Sequence, residues 1–202
     1  MKDSSYLYCK IDKLKTCNVW MIHETDDTLL DKLKKIDPNT SILVWDDALL
    51  SQFYPIKVLQ DLGFYNILAI STNIVNAATL QYSNNKKCIF YEFSSISHKR
   101  YHESNNACAF MTWKHVKELS DLGVYIAAHG YNHERLESKL LPNALILKDI
   151  CKKVQKDFLE HLNYYPKLYV YPYNLKFDWT DPLIRSYNMD TIGPGRLDAR
   201  KL

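Results

Sequence analysis

His129 and His133 stand four residues apart in IAAHGYNHERL, a stretch that closes a short apolar run. If the chain turns into a helix after Ala128, positions i and i+4 share a face and both imidazoles reach one point, which a divalent metal would suit. Two nitrogens alone do not make such a site. Taken by itself, the pair is more simply read as a strand cap followed by a solvated helical turn. A third ligand has to come from elsewhere, and Asp46 and Asp47 in ILVWDDALL are the candidates. Adjacent aspartates on a regular strand point to opposite faces, but where the pleat breaks into a loop both can turn toward one cavity. One would then hold metal while its neighbour handles protons. The competing reading, two carboxylates accepting backbone N–H bonds as loop caps, is common for any single Asp-Asp pair.

Two other clusters have plainer explanations. Asp26-Asp27 in HETDDTLLDKLKK precedes a stripe of Leu29, Leu30, Leu33 and Ile36. Thr25 or Asp26 as N-cap, with acids in the first turn, accounts for it through the helix dipole. His98 and His102 in SISHKRYHESN are also four apart, but they lie in a polar stretch and enclose Lys99 and Arg100, fixed positive charges that disfavour a dication. That segment reads as a surface loop, at most one that touches substrate. Trp113 and His115 read as a helix start and His161 as a helix end.

The elements that must position these residues alternate. PIKVLQDLGFYNILAIST and WKHVKELSDLGVYIAAHG echo each other: Ile56, Leu59 and Leu62 mark one helical stripe, and Trp113, Val116, Leu119 and Leu122 another. Each stripe ends at Asp-Leu-Gly, with Gly63 and Gly123 placed for left-handed C-terminal caps and Thr112 for the second N-cap. A short buried-strand run follows each glycine. Val19 to Ile22, Ile42 to Trp45, Leu168 to Tyr171 and Met189 to Ile192 read as further strands. Leu147, Ile150, Cys151, Val154, Phe158 and Leu162 draw a long amphipathic helix, and Thr180-Asp181-Pro182 opens a brief one. Strands alternating with helices imply a parallel sheet, covered on both sides or closed into a barrel, whose chemistry sits at the C-terminal strand ends. The residues there are Asp46-Asp47, Ser71-Thr72, His129, Pro172-Tyr173 and Gly193-Pro194-Gly195-Arg196. Two carboxylates and two histidines fall on one end of the sheet, with Pro172 and Arg196 placed to face substrate.

At 202 residues, 47% of them hydrophobic, the chain can bury one core, and residues 1–202 are taken as one domain. A formal charge of +3 with scattered basic residues, runs such as Lys13 to Lys15 included, argues against a nucleic-acid partner. Five cysteines without C-x-x-C spacing fit a reducing compartment. MKDSSYLYCKIDKLK lacks a signal-peptide core, and no stretch approaches the roughly 20 apolar residues of a membrane span. The expected location is therefore cytoplasmic. The oligomeric state is not legible.

VWDDALLSQFYPIKVLQDLGF, then MTWKHVKELSDLGVYIAAHGYNH, then YVYPY, in that order, resemble the polysaccharide deacetylases of the NodB-homology type, carbohydrate esterase family 4. The match runs from about Ile42 to Tyr173, and three separated motifs are more specific than one. The resemblance implies a distorted, incomplete (β/α) barrel and a divalent metal, usually Zn²⁺, held by one aspartate and two histidines. Motif by motif, Asp46 falls on the catalytic base, Asp47 on the metal-ligating aspartate, His129 and His133 on the metal-ligating histidines, and Pro172-Tyr173 on the Pro-Tyr pair. The backbone N–H of Tyr173 then serves the oxyanion. The implied activity is removal of an acetyl group from an acetamido sugar of a glycan or glycan precursor. The absent signal peptide favours an intracellular precursor.

The chain departs from the family pattern at several points. Ala48 replaces the glycine after the two aspartates, and Gly130 replaces Ser or Thr in the histidine motif. Val170 replaces the arginine that pairs with the base, and Asn174 the glycine after Pro-Tyr. The late Leu-x-His motif, source of the general acid, has no counterpart up to Leu202: either the sequence is shortened at its C-terminus, or a residue such as Arg196, His23 or His102 assists the leaving group. Alternatives are hydrolysis of a formamide or an O-acetyl ester, or a weakly active, metal-containing carbohydrate-binding relative that uses its tyrosines and tryptophans for stacking.

Overall fold

The computed structural model describes residues 16–84, 91–139 and 141–202. The N-terminal stretch to Lys15, with Cys9, and Cys88 lie outside them. β1 (Asn18–Ile22), β2 (Ser41–Trp45), β3 (Tyr65–Ile70), β4 (Tyr125–Ala128), β5 (Leu168–Val170), β6 (Asp190–Ile192) and β7 (Leu197–Asp198) form one sheet in the order β6-β5-β4-β3-β2-β1-β7. Every neighbouring pair is parallel. The sheet curls into a half-barrel whose end strands do not meet. This is the distorted, incomplete (β/α) barrel expected from the sequence.

Both faces of the central strands are buried, which is why they read as continuous apolar runs. On β2, Leu43 and Trp45 join the large core beneath the helices, while Ile42 and Val44 join a smaller cluster on the opposite face with Ile67, Ala69, Ala127 and Val170. The helices are α1 (Asp27–Leu33), α2 (Phe53–Asp61), α3 (Thr72–Ser83), α4 (Ser94–Ser104), α5 (Trp113–Asp121), α6 (Asn143–Leu162) and α7 (Thr180–Arg185). The Asp-Leu-Gly repeats end α2 and α5 as expected. Gly63 and Gly123 take φ of +84° and +95°, and the N–H of the next residue returns to the carbonyl of Leu59 or Leu119 at 3.0 Å. Asp26, not Thr25, caps α1 by accepting the Leu29 N–H at 2.7 Å, and Thr112 caps α5.

Two helices and one strand escape the apolar-period reading. α3 carries β-branched and polar residues and is held by polar bonds: Asn76 accepts the Trp113 indole N–H at 2.6 Å, and Thr79 accepts the Trp113 backbone N–H at 2.9 Å. α4 replaces the expected surface loop around His98 and His102. Its buried residues, Ser94, Ser97, His98 and Tyr101, repeat at i, i+3, i+4 and i+7 and are all polar or amphipathic. β7 is a two-residue edge beside β1. No helix among the described residues is long and apolar enough to cross a membrane.

The buried Trp45 indole N–H donates to Asn66 Oδ1 at 2.9 Å, tying β2 to β3 inside the large core. Asn66→Leu orphans that donor and should lower unfolding stability in urea by about 1–3 kcal/mol. Adding Trp45→Phe should recover part of the loss, whereas additive losses in the double variant would show that the pair is not coupled.

Candidate active site

Parallel register delivers the strand ends to one level. The Asp46 N–H donates to Ile22 O at 2.9 Å, the His129 N–H to Ile70 O at 2.8 Å, and the Tyr171 N–H to Ile192 O at 3.0 Å. His23, Asp46, Asp47, His129, Pro172 and Tyr173 therefore emerge on the same rim. Gln52, fully buried, binds this rim together: its amide N–H groups donate to the carbonyls of Asp46 at 2.7 Å and His23 at 2.5 Å, and its oxygen accepts the Leu49 N–H at 3.0 Å.

The two aspartates turn inward because the backbone leaves the strand abruptly. Asp47 and Ala48 have φ of +80° and +57°, conformations that side chains rarely adopt and that surrounding structure must impose. Both carboxylates are buried, yet they enter different partnerships. Asp47 Oδ2 accepts the Ser94 hydroxyl at 2.6 Å. Its Oδ1 faces three imidazoles, with His98 Nε2 at 3.0 Å, His133 Nε2 at 3.3 Å and His129 Nε2 at 3.5 Å. Burial alone would raise the Asp47 carboxyl, but the nearby His98 and His133 outweigh it and hold the group well below the usual carboxylate range. Burial, reinforced by His129 and His98, pushes His133 down to about 2 despite Asp47. Burial also lowers His129, but its contact with Asp47 and the field of Asp46 outweigh that and raise it.

His129 Nδ1 lies 2.9 Å from the Val170 carbonyl, which can only accept, so Nδ1 carries the proton and Nε2 turns its lone pair inward. His133 does not arrive on a helix, as its four-residue spacing from His129 suggested. The chain from Gly130 to His133 is a loop with φ of +81° at Gly130 and +56° at His133. Glu134 shapes that loop by accepting the N–H groups of Tyr131 at 3.0 Å and Asn132 at 2.8 Å. Gly130 is required here, since a Cβ would come within 2.7 Å of the Glu134 carboxylate.

His98 is the residue that sequence reasoning misplaced. It is 6% exposed, and its ring stacks on His133 with centroids 4.1 Å apart. The cations that seemed to rule it out are engaged elsewhere: Lys99 points to solvent near Glu103, and Arg100 pairs with Glu92. His102 is exposed on the outer side of α4, its ring 6.3 Å from His98. Asp47 Oδ1, His98 Nε2 and His129 Nε2 are all buried without a hydrogen-bond partner, and ligand atoms of Asp47, His98 and His133 lie within 4.8 Å of one another. Unpaired lone pairs converging on one point, with no fixed cation among them, fit a divalent ion.

Asp46 has a separate surrounding. Arg196 Nη1 donates to its Oδ1 at 2.7 Å with both side chains buried, and Arg196 also reaches Asn174 Oδ1 at 2.6 and 3.2 Å. Arg196, read from the sequence as facing substrate, is instead clamped beneath the two strand ends. Val170 leaves the position of the base-pairing arginine empty, and Asn174 at φ +54° holds the arginine that comes from after β6. His23 Nε2 lies 3.8 Å from Asp46 Oδ2. Pro172 is buried against the Gly130 turn, and Tyr173, at φ +58° and 46% exposed, sets its ring 4.4 Å from that of His133. In Leu197-Asp198-Ala199, alanine stands two residues after leucine, where a Leu-x-His triplet would have its imidazole.

Removing the guanidinium would leave Asp46 buried and unpaired. Arg196→Gln should cost about 3–5 kcal/mol in chemical denaturation, and Asp46→Asn in the same chain should restore part of it. A loss below about 1 kcal/mol would mean that the pair is solvated in solution.

A family model described as polysaccharide deacetylase matches residues 34–192. Similar solved structures include IcaB from Ammonifex degensii, at 13% identity and TM-score 0.60, covering 91% of each chain. A de-N-acetylase from Aggregatibacter actinomycetemcomitans is 15% identical at TM-score 0.58, covering 97% of this chain and 85% of its own. The Streptococcus pyogenes deacetylase PplD, solved with acetate, is 14% identical at TM-score 0.58, covering 91% of this chain and 95% of its own. No curated protein matches the chain in sequence. With the family model spanning most of its length, the chain belongs to the polysaccharide deacetylase family.

Proposed function

We propose that this chain is a metal-dependent hydrolase that removes an acetyl group from an acetamido sugar, with Asp47, His129 and His133 as metal ligands and Asp46 as the base. One observation carries the reading: neighbouring carboxylates are held in opposite surroundings, Asp47 among imidazoles and Asp46 against a guanidinium. Such a division suits one carboxylate to a cation and the other to a proton. One carboxylate oxygen with imidazole nitrogens suits Zn²⁺. When bound, a divalent ion at this point supplies positive charge that polarises the amide carbonyl and acidifies water.

The remaining chemistry belongs to the chain's own residues. Arg196 and Asn174 fix Asp46 so that Oδ2 stays available to take the proton from the attacking water. Tyr173 brings its backbone N–H to the carbonyl oxygen as negative charge develops there. When the C–N bond breaks, the amine needs a proton. Arg196 cannot give one, because a guanidinium does not deprotonate in proteins. His23, part exposed and 3.8 Å from Asp46 Oδ2, stands beside the base and is the donor. Acetate and a free amino sugar result. The exposed Tyr173 ring offers a stacking face for the sugar.

Acetate release from N-acetylated oligosaccharides, measured with bound metal, tests this. Asp46→Asn should lose about 10²–10⁴-fold in kcat while retaining metal. His23→Gln should lose more on the acetamide than on an O-acetyl ester, whose alkoxide leaves without full protonation. A wild-type protein that binds metal but turns over neither substrate class would point to the carbohydrate-binding alternative.

A further inference from the structure

We infer that His98 is a direct ligand of the divalent ion, so that the centre is built from Asp47 and three imidazoles rather than two. This rests on the metal-dependent reading above and adds to it a donor from outside the three motifs. Three observations lead to it. His98 Nε2 makes the closest imidazole approach to Asp47 Oδ1, at 3.0 Å, against 3.3 Å for His133 and 3.5 Å for His129. Two donors sharing an ion at about 2.0–2.1 Å stand about 2.9 Å apart at a right angle and about 3.3 Å apart on a tetrahedron; the His98 and His133 contacts fall in that range and the His129 contact just beyond it.

The 3.0 Å contact does not have the geometry of a hydrogen bond, and both of its atoms are buried and otherwise unpartnered. A shared cation would satisfy both at once, where a bare imidazole beside a carboxylate satisfies neither. His98 is also held in place on a helix rather than on a mobile loop. Ser94 and His98 are four residues apart on one face of α4, and the first binds Oδ2 of the carboxylate whose Oδ1 the second approaches. Glu24 secures that end of the helix by accepting the Ser94 N–H at 2.7 Å. The His98 ring now stacks on that of His133, at 18° with centroids 4.1 Å apart, so one ring has to tilt for both in-plane lone pairs to meet one ion.

A fourth protein donor takes one of the positions that an Asp-His-His set leaves open. The centre should therefore hold its ion more tightly and leave less room for water and substrate oxygen together. Ions that readily accept five or six ligands should be favoured over strictly tetrahedral binding.

The test counts imidazoles without using activity. Co²⁺-loaded protein should show three hyperfine-shifted imidazole N–H signals in ¹H NMR. His98→Ala should lose one of them, and its Co²⁺ and Zn²⁺ affinities in chelator competition should fall at least about 10-fold; His98→Gln, which keeps a polar group without the nitrogen lone pair, should fall similarly. Wild-type protein with two such signals, both kept in His98→Ala, overturns the inference and leaves the metal-dependent reading standing. Protein that binds no Co²⁺ or Zn²⁺ at all overturns both.

Discussion

The Asp47 carboxylate is the constraint around which the site is arranged. It is a buried anion, and a buried anion is tolerated only when its oxygens are satisfied. Ser94 satisfies one oxygen, and the other is surrounded by imidazole nitrogens from α4, from the end of β4 and from the loop beyond it. Three stretches far apart in sequence, the end of β2, α4 and the end of β4 with its loop, are thereby required to meet at one atom. The strained backbone at Asp47 and Ala48, the polar inner face of α4 and the left-handed residue at His133 all follow from that requirement.

The second carboxylate shows how the same architecture accepts a rearranged chain. Where the family pattern has an arginine before Pro-Tyr, this chain has Val170, whose side chain packs in the inner cluster while its carbonyl orients His129. The guanidinium arrives instead from Arg196 and is held by Asn174, itself a departure from the pattern. One departure, Asn174, holds the guanidinium that makes up for the other, Val170. Position in the half-barrel, more than position in a motif, determines which group stands beside Asp46.

Most of the sheet was legible because strands buried on both faces leave unmistakable apolar runs, and because Gly63, Gly123 and Thr112 mark helix ends by local chemistry alone. Asp46, Asp47, His129 and His133 could be picked out because they follow such runs. α4 was not legible for the opposite reason. Its buried stripe, Ser94, Ser97, His98 and Tyr101, has helical spacing but polar composition, since it faces a polar centre and not the core. A search for helical period among polar residues would have found it. The convergence of His133 was anticipated, but by the wrong local structure: Glu134 and Gly130 build a loop where spacing alone suggested a helix. Arg196 could be placed at a strand end, yet its partner depended on the chain crossing from β6 at one edge of the sheet to β7 beside β1 at the other, which sequence order does not reveal.

The Gly130 turn has a consequence for how this chain can change. The hydroxyl residue of the family motif cannot simply be put back there, since its Cβ would run into the Glu134 carboxylate that now organises the loop, and φ of +81° disfavours any side chain. Glycine at this position therefore answers to the path of the backbone even more than to the glutamate. Exchanging Glu134 alone would clear the space without relieving the left-handed φ, so engineering a hydroxyl residue into the motif requires the loop itself to be rerouted.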